Sequence, residues 1–215
     1  MHSNNTDELK KRFIVIEGID GAGTTTQMHA LAETLRARGL PCVTTAEPTD
    51  QPIGRLIRAV LSGELQVAPS TVAYLFASDR NEHMYGNGGI LEHVKAGSIV
   101  ISDRYALSSL AYQGLTCGEE LPFRLNGAFP APGLTLLFDL DPETAIARIH
   151  SRAKKEIYET LEFQRRVCDM YRTMAERLRA EGWNIVRIEA NADIESVRRE
   201  IGQKVLEFLG LSPTE

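Results

Sequence analysis

Residues 13–27 read FIVIEGIDGAGTTTQ, an apolar run that opens into three closely spaced glycines and a cluster of hydroxyls. Phe13 to Glu17 is short and β-branched, and Met28, Leu31 and Leu35 recur at helical spacing behind the glycines, so the stretch spells strand, tight loop, helix. Gly18, Gly21 and Gly23 let backbone N–H groups converge on an anion, and the following helix adds the positive end of its dipole. The spacing is that of the phosphate-binding loop G-x-x-x-x-G-K-[ST], with Thr25 at the hydroxyl position that ordinarily ligates Mg2+. Thr24, however, stands where the pattern has lysine. The glycines alone suit an ordinary strand-to-helix turn as well.

Outward from this loop, apolar runs alternate with helical patterns. Strands are expected at 40–45, 98–102, 134–139 and 183–188, and helices at 25–38, 53–62, 142–152, 161–181 and 194–209. Residues 70–94 read as helical with a break at GNGG, 86–89, and 115–129 as a loop with a short helix. Near-continuous apolar strands separated by helices imply an α/β fold whose five-stranded parallel sheet is covered on both faces. Such a sheet takes ligands at the carboxyl ends of its strands, where the glycine loop lies.

Composition narrows the classes. The 215 residues, 43% hydrophobic and 25% charged, suit one domain spanning 1–215 with a sizeable core. A formal net charge of -5 argues against a broad nucleic-acid surface, so no nucleic-acid polymer is expected as a partner. Cys42, Cys117 and Cys168 are too far apart for a zinc or C-x-x-C pattern and read as free thiols of a reducing compartment. The opening MHSNNTDELKKR is polar and leads only into FIVI, so neither a signal peptide nor a membrane span is expected, and the protein reads as cytoplasmic.

Two further stretches carry chemistry. SDRYALSSLAYQG, 102–114, closes an apolar strand with Asp103, a position from which a carboxylate can hold Mg2+ or its water, and Arg104 beside it can grip phosphate bidentately. In YLFASDRNEH, 74–83, Phe76 and Arg80 are four residues apart on one helix face, where a ring can stack on a base while a guanidinium bonds its carbonyl edge. The plainer readings are a surface Asp-Arg pair and a core phenylalanine.

Taken in order and spacing, EGIDGAGxTTQ, AEP at 46–48, PIG at 52–54, LFASDR, DRY...S...AYQG and LDPE resemble the thymidylate kinases, from about Phe13 to the last helix. The resemblance implies the three-layer P-loop NTPase fold with a short lid at about 152–160. It also implies transfer of the ATP γ-phosphate to dTMP with Mg2+ and a homodimer. ATP would lie on Gly18, Ile19, Asp20, Gly21, Ala22, Gly23, Thr24, Thr25 and Thr26, with Arg152 stacked on adenine, and Mg2+ would be held by Thr25, Asp103 and Asp20. Asp20 and Arg104 would position the acceptor phosphate, with Glu47 and Pro48 lining its pocket. Phe76 would stack on thymine, Arg80 would meet its O4, and Ser109, Tyr112 and Gln113 would close around base and sugar, Tyr112 against C2'. Apolar faces at 72–76 and 106–111 suit a two-fold interface and a core equally.

The missing lysine bears directly on this chemistry, because phosphoryl transfer rests on positioning and on cations that follow the moving charge. Many family members carry a lid arginine, and its position here falls on Ile157, in AKKEIYE, 153–159. Lys154 and Lys155 in the lid, and Arg148 one helical turn before Arg152, are the candidate replacements. Two other functions remain open at this level: a kinase for another deoxynucleotide, and a silent dTMP- or ATP-binding regulator.

Overall fold

A computed structural model describes residues 2–149 and 160–212. Among them the element order is α1 (His2–Arg12), β1 (Phe13–Gly18), α2 (Thr24–Ala37), β2 (Cys42–Ala46), α3 (Pro52–Leu61), α4 (Pro69–Tyr85), α5 (Ile90–Lys95) and β3 (Ile99–Asp103). Then follow α6 (Ala106–Cys117), α7 (Glu120–Asn126), β4 (Leu134–Asp139), α8 (Pro142–Ile149), α9 (Leu161–Ala180), β5 (Ile185–Glu189) and α10 (Ile194–Phe208). All five strands are parallel, in the order β2-β3-β1-β4-β5. The glycine loop therefore leaves the central strand, and the pairings Ile16 with Asp103 and Gly18 with Phe138 bring the ends of β1, β3 and β4 to one edge.

Side-chain alternation assigns the layers. Ile14 and Ile16 pack with Leu31 and Leu35 of α2, which also meets α10. Phe13 and Val15 face the other way, into a cluster with Leu9 of α1, Ile90 and Val94 of α5, and Ala106 of α6. The three-layer α/β arrangement expected from the alternating pattern is the one observed.

Departures from the expected elements have local causes. β2, β3 and β5 start one or two residues late because Gly39, Gly97 and Gly182, at φ 77°, 88° and 92°, must first turn the chain from the preceding helix. Spacing assigns no helix to 106–117, because α6 is buried all round, from Ala106 to Gly114, and so has no apolar period. α1 is too polar to show one, and it docks through Leu9, which is buried, and through Arg12, whose Nη1 donates to Gly97 O at 2.8 Å. The break at 86–89 falls between α4 and α5 as expected.

Of the apolar faces weighed for a dimer, that at 106–111 is buried within the chain, whereas at 72–76 Val72 and Ala73 are buried and Tyr74 is exposed. All three cysteines are free, and burial pushes the Cys42 and Cys168 thiols up to about 11, which keeps them unreactive. No described helix is long and apolar enough to cross a membrane.

Candidate active site

The phosphate loop is shaped by close packing at one glycine and by backbone sign at two others. A Cβ on Gly18 would sit 3.1 Å from that of Phe138 and 3.2 Å from that of Ala22, so a side chain there would press β1 away from β4 and the loop by a few tenths of an ångström. Gly21 and Gly23 have φ of 83° and 86°, which L side chains avoid. Gly23 caps α2 without a side chain, and the helix's first turn carries no acidic residue, so the helix N-terminus suits an anion. Thr24 opens this helix and is buried.

Thr25 donates to Asp103 Oδ2 at 2.5 Å, and the other carboxylate oxygen, Oδ1, is buried with no hydrogen-bond partner among the described residues. An orphaned carboxylate oxygen beside a hydroxyl, at the mouth of a phosphate loop, is a fitting donor set for Mg2+, which takes one or two carboxylates and completes its shell with substrate phosphates and water. Asp20, expected in the same set, is engaged elsewhere. Its Oδ1 meets Arg104 Nη2 at 2.6 Å, and its Oδ2 accepts from Tyr112 OH at 3.0 Å and Gln164 Nε2 at 3.1 Å.

Arg104 is the centre of this second cluster. It is the one described non-glycine residue at positive φ, 72°, a conformation that costs of order 1 to 3 kcal/mol and persists where surroundings enforce it. The enforcement is visible. Its N–H bonds Ile16 O at 2.9 Å, and its Nη1 reaches Gly18 O at 3.0 Å and Tyr171 OH at 3.2 Å. Its guanidinium carbon lies 5.3 Å from the Tyr112 ring centre. Burial opposes the charge on Arg104, but Tyr112 and Asp20 outweigh it and hold the guanidinium above its ordinary value. Burial, with Asp20 close by, raises the Tyr112 phenol, which stays a donor.

Sharing partners with Arg104 is a residue that motif reading does not single out. Glu17 is fully buried and accepts from Tyr105 N at 2.9 Å, Ser108 N at 3.2 Å, Ser108 Oγ and Tyr171 OH at 3.2 Å. Its carboxyl is raised by that burial. It ties β1 to α6 and α9 and shares Ser108 and Tyr171 with the Arg104 guanidinium.

Every residue expected to contact the acceptor nucleotide lines one cavity of about 340 Å³, together with Asp20, Thr25 and Asp103. Phe76 lines it from α4. Arg80, almost completely buried, is anchored by Glu47 Oε2 at 2.6 Å from Nη2 and 3.0 Å from Nε, by Ser109 Oγ at 3.1 Å, and by Asn126 Oδ1. His83 Nδ1 lies 3.0 Å from Glu47 Oε1 and its Nε2 lies 2.6 Å from Thr45 Oγ1. Burial alone would raise the Glu47 carboxyl, but Arg80 and His83 hold it below the usual range. Arg58 also lines the cavity, from α3, with Nη2 2.5 Å from Pro48 O. Nothing in its helical spacing marks it, and only the fold brings it there.

Of the expected replacement cations, Arg148 is described, and its Nη1 lies 3.4 Å from Gly21 O on the phosphate loop. Arg152, Lys154, Lys155 and Ile157 lie outside the described residues.

A parallel sheet that sends a glycine loop from its central strand into a helix, with a carboxylate on the neighbouring strand facing the loop's hydroxyl, defines the P-loop NTPase class. Residues 16–201 match the family model described as Thymidylate kinase. Relatives named "Probable thymidylate kinase" include three that span most of the chain. That of Thermococcus kodakarensis is 40% identical over 92% of this chain and 98% of its own, and that of Pyrococcus abyssi 38% over 94% and 100%. That of Pyrobaculum calidifontis is 42% identical over 81% of this chain and 86% of its own. The chain belongs to the thymidylate kinase family.

Proposed function

We propose that this protein transfers the γ-phosphate of ATP to dTMP, giving dTDP. The observation that carries the reading is the single cavity in which Phe76, Arg80, Arg104 and Tyr112 converge beside the Thr25–Asp103 pair. Glycine-loop N–H groups would hold the ATP phosphates, and Thr25 and Asp103 would hold Mg2+, which when bound neutralises phosphate charge. Asp20 would hold Arg104 toward the acceptor phosphate, with Arg58 as a second cation at the cavity wall. Phe76 and Arg80 would take the base by stacking and by one hydrogen bond. Tyr112 would crowd C2' and favour deoxyribose.

The loop's missing lysine is an absent transition-state donor, a loss of about 2.7 to 4 kcal/mol, or roughly 100- to 1000-fold in rate. We assign its replacement to Arg148, supported by its approach to the Gly21 carbonyl. We further propose that the enzyme works as a homodimer in the cytoplasm, which its free thiols suit.

The test is steady-state phosphoryl transfer from Mg-ATP to dTMP by the wild type, Arg148→Ala, Thr24→Lys and the double variant Lys154→Ala, Lys155→Ala, with light scattering for the dimer. Turnover that falls about 100-fold in Arg148→Ala and is regained with Thr24→Lys added is the expected result. A collapse confined to the lysine double variant moves the cation to the lid. Nucleotide binding with no turnover in the wild type overturns the kinase reading in favour of a silent regulator.

A further inference from the structure

No residue of 115–129 lines the cavity, yet two of them close on Arg80. Asn126, at the end of α7, is buried, and its amide oxygen accepts from Arg80 Nη1. Its orientation is set by its own Nδ2, which donates to Pro122 O at 2.7 Å. Phe129, three residues on, lies 5.8 Å from the Arg80 guanidinium carbon, while Tyr105 lies 5.0 Å from it.

A guanidinium has five N–H donors. Glu47 takes one from Nε and one from Nη2, Ser109 takes the other Nη2 hydrogen, and Asn126 takes one of two on Nη1. One Nη1 hydrogen remains in a side chain that lines the cavity. We propose that Asn126 is a positioning residue for base selection: by occupying one Nη1 hydrogen it locks the guanidinium so that a single donor is offered to the base. A single donor matches a base edge that presents a carbonyl, as thymine and uracil do at position 4. It opposes cytosine, whose amino group there is itself a donor. Without Asn126 the guanidinium keeps its carboxylate anchor but gains a free hydrogen, so its aim loosens.

This inference rests on the dTMP reading, and the experiment separates the two. Calorimetric titration with dTMP and with dCMP is carried out on the wild type, Asn126→Ala and Asn126→Asp, beside wild-type turnover and the thermal midpoint of each protein. Asn126→Ala is expected to bind dTMP about tenfold more weakly, with dCMP affinity unchanged, so that discrimination falls by the same factor. Asn126→Asp keeps an acceptor oxygen for Nη1 but loses the bond to Pro122 O, so it is expected to bind dTMP more weakly than wild type and more tightly than the alanine variant. Should the alanine protein fail to fold, Asn126→Ser reads the same loss.

A lowered midpoint in Asn126→Ala with wild-type dTMP affinity and discrimination assigns Asn126 a structural role and overturns the inference. So does an aspartate variant as weak as alanine. Wild-type binding of dTMP without turnover removes the kinase reading and leaves the positioning result standing. Wild type that binds neither nucleotide overturns both.

Discussion

Glu47 shows how much one side chain in this site carries. It is buried, so its charge is costly, and it is retained because Arg80 and His83 face it. The sign of its pH effect follows. The folded carboxyl lies below its ordinary value of 4.5, so between the two values the unfolded chain binds the extra proton. The stabilisation is complete above about 4.5 and is lost as pH falls through the folded value. Thermal midpoints measured from neutral pH down to about 3 should drop steeply for the wild type. Glu47→Gln should be less stable at neutral pH and show a shallower acid limb. An unchanged acid limb in that variant would remove Glu47 from the account.

At the scale of elements, α3 and α4 hold the loop 47–51 between them. Thr49 donates its N–H and hydroxyl to the buried Asp79 of α4 at 2.8 and 2.6 Å. Gly54, the last residue of PIG, packs so closely that a Cβ would run into the Thr49 carbonyl. Gly54→Ala is therefore expected to push α3 and Thr49 apart, at a cost of about 2 kcal/mol. Because Glu47, Pro48 and Arg58 move with that loop, the KM for dTMP should rise severalfold while the KM for ATP holds. Equal changes in both constants would show that the glycine serves general packing.

At the scale of the whole molecule, α1 adds to the core at the end of the sheet opposite the glycine loop. α1 packs Leu9, 2% exposed, into the cluster at the amino end of β1, roughly 17 Å from the glycine loop. Leu9→Ala should cost about 3 kcal/mol and lower the thermal midpoint by about 8 °C, with kcat unchanged where the protein is folded. A fall in kcat that parallels the midpoint would link α1 to the site.

Much of this protein was legible in its residues alone. FIVIEGIDGAGTTTQ specifies strand, anion loop and helix because glycine freedom, β-branching and helical spacing are local properties. Phe76 with Arg80, and Asp103 with Arg104, carry their chemistry in short motifs, and the fold gathers all four around one cavity. What only the tertiary structure decided lies in contacts between elements distant along the chain. Glu17 sharing Ser108 and Tyr171 with Arg104, Asn126 on Arg80 and Arg58 at the cavity wall have no local pattern to mark them, and the helical spacing that offered Arg148 did not show that it reaches Gly21. A buried carboxylate or amide is specified by the donors that surround it, and those donors are assembled only when the strands and helices pack.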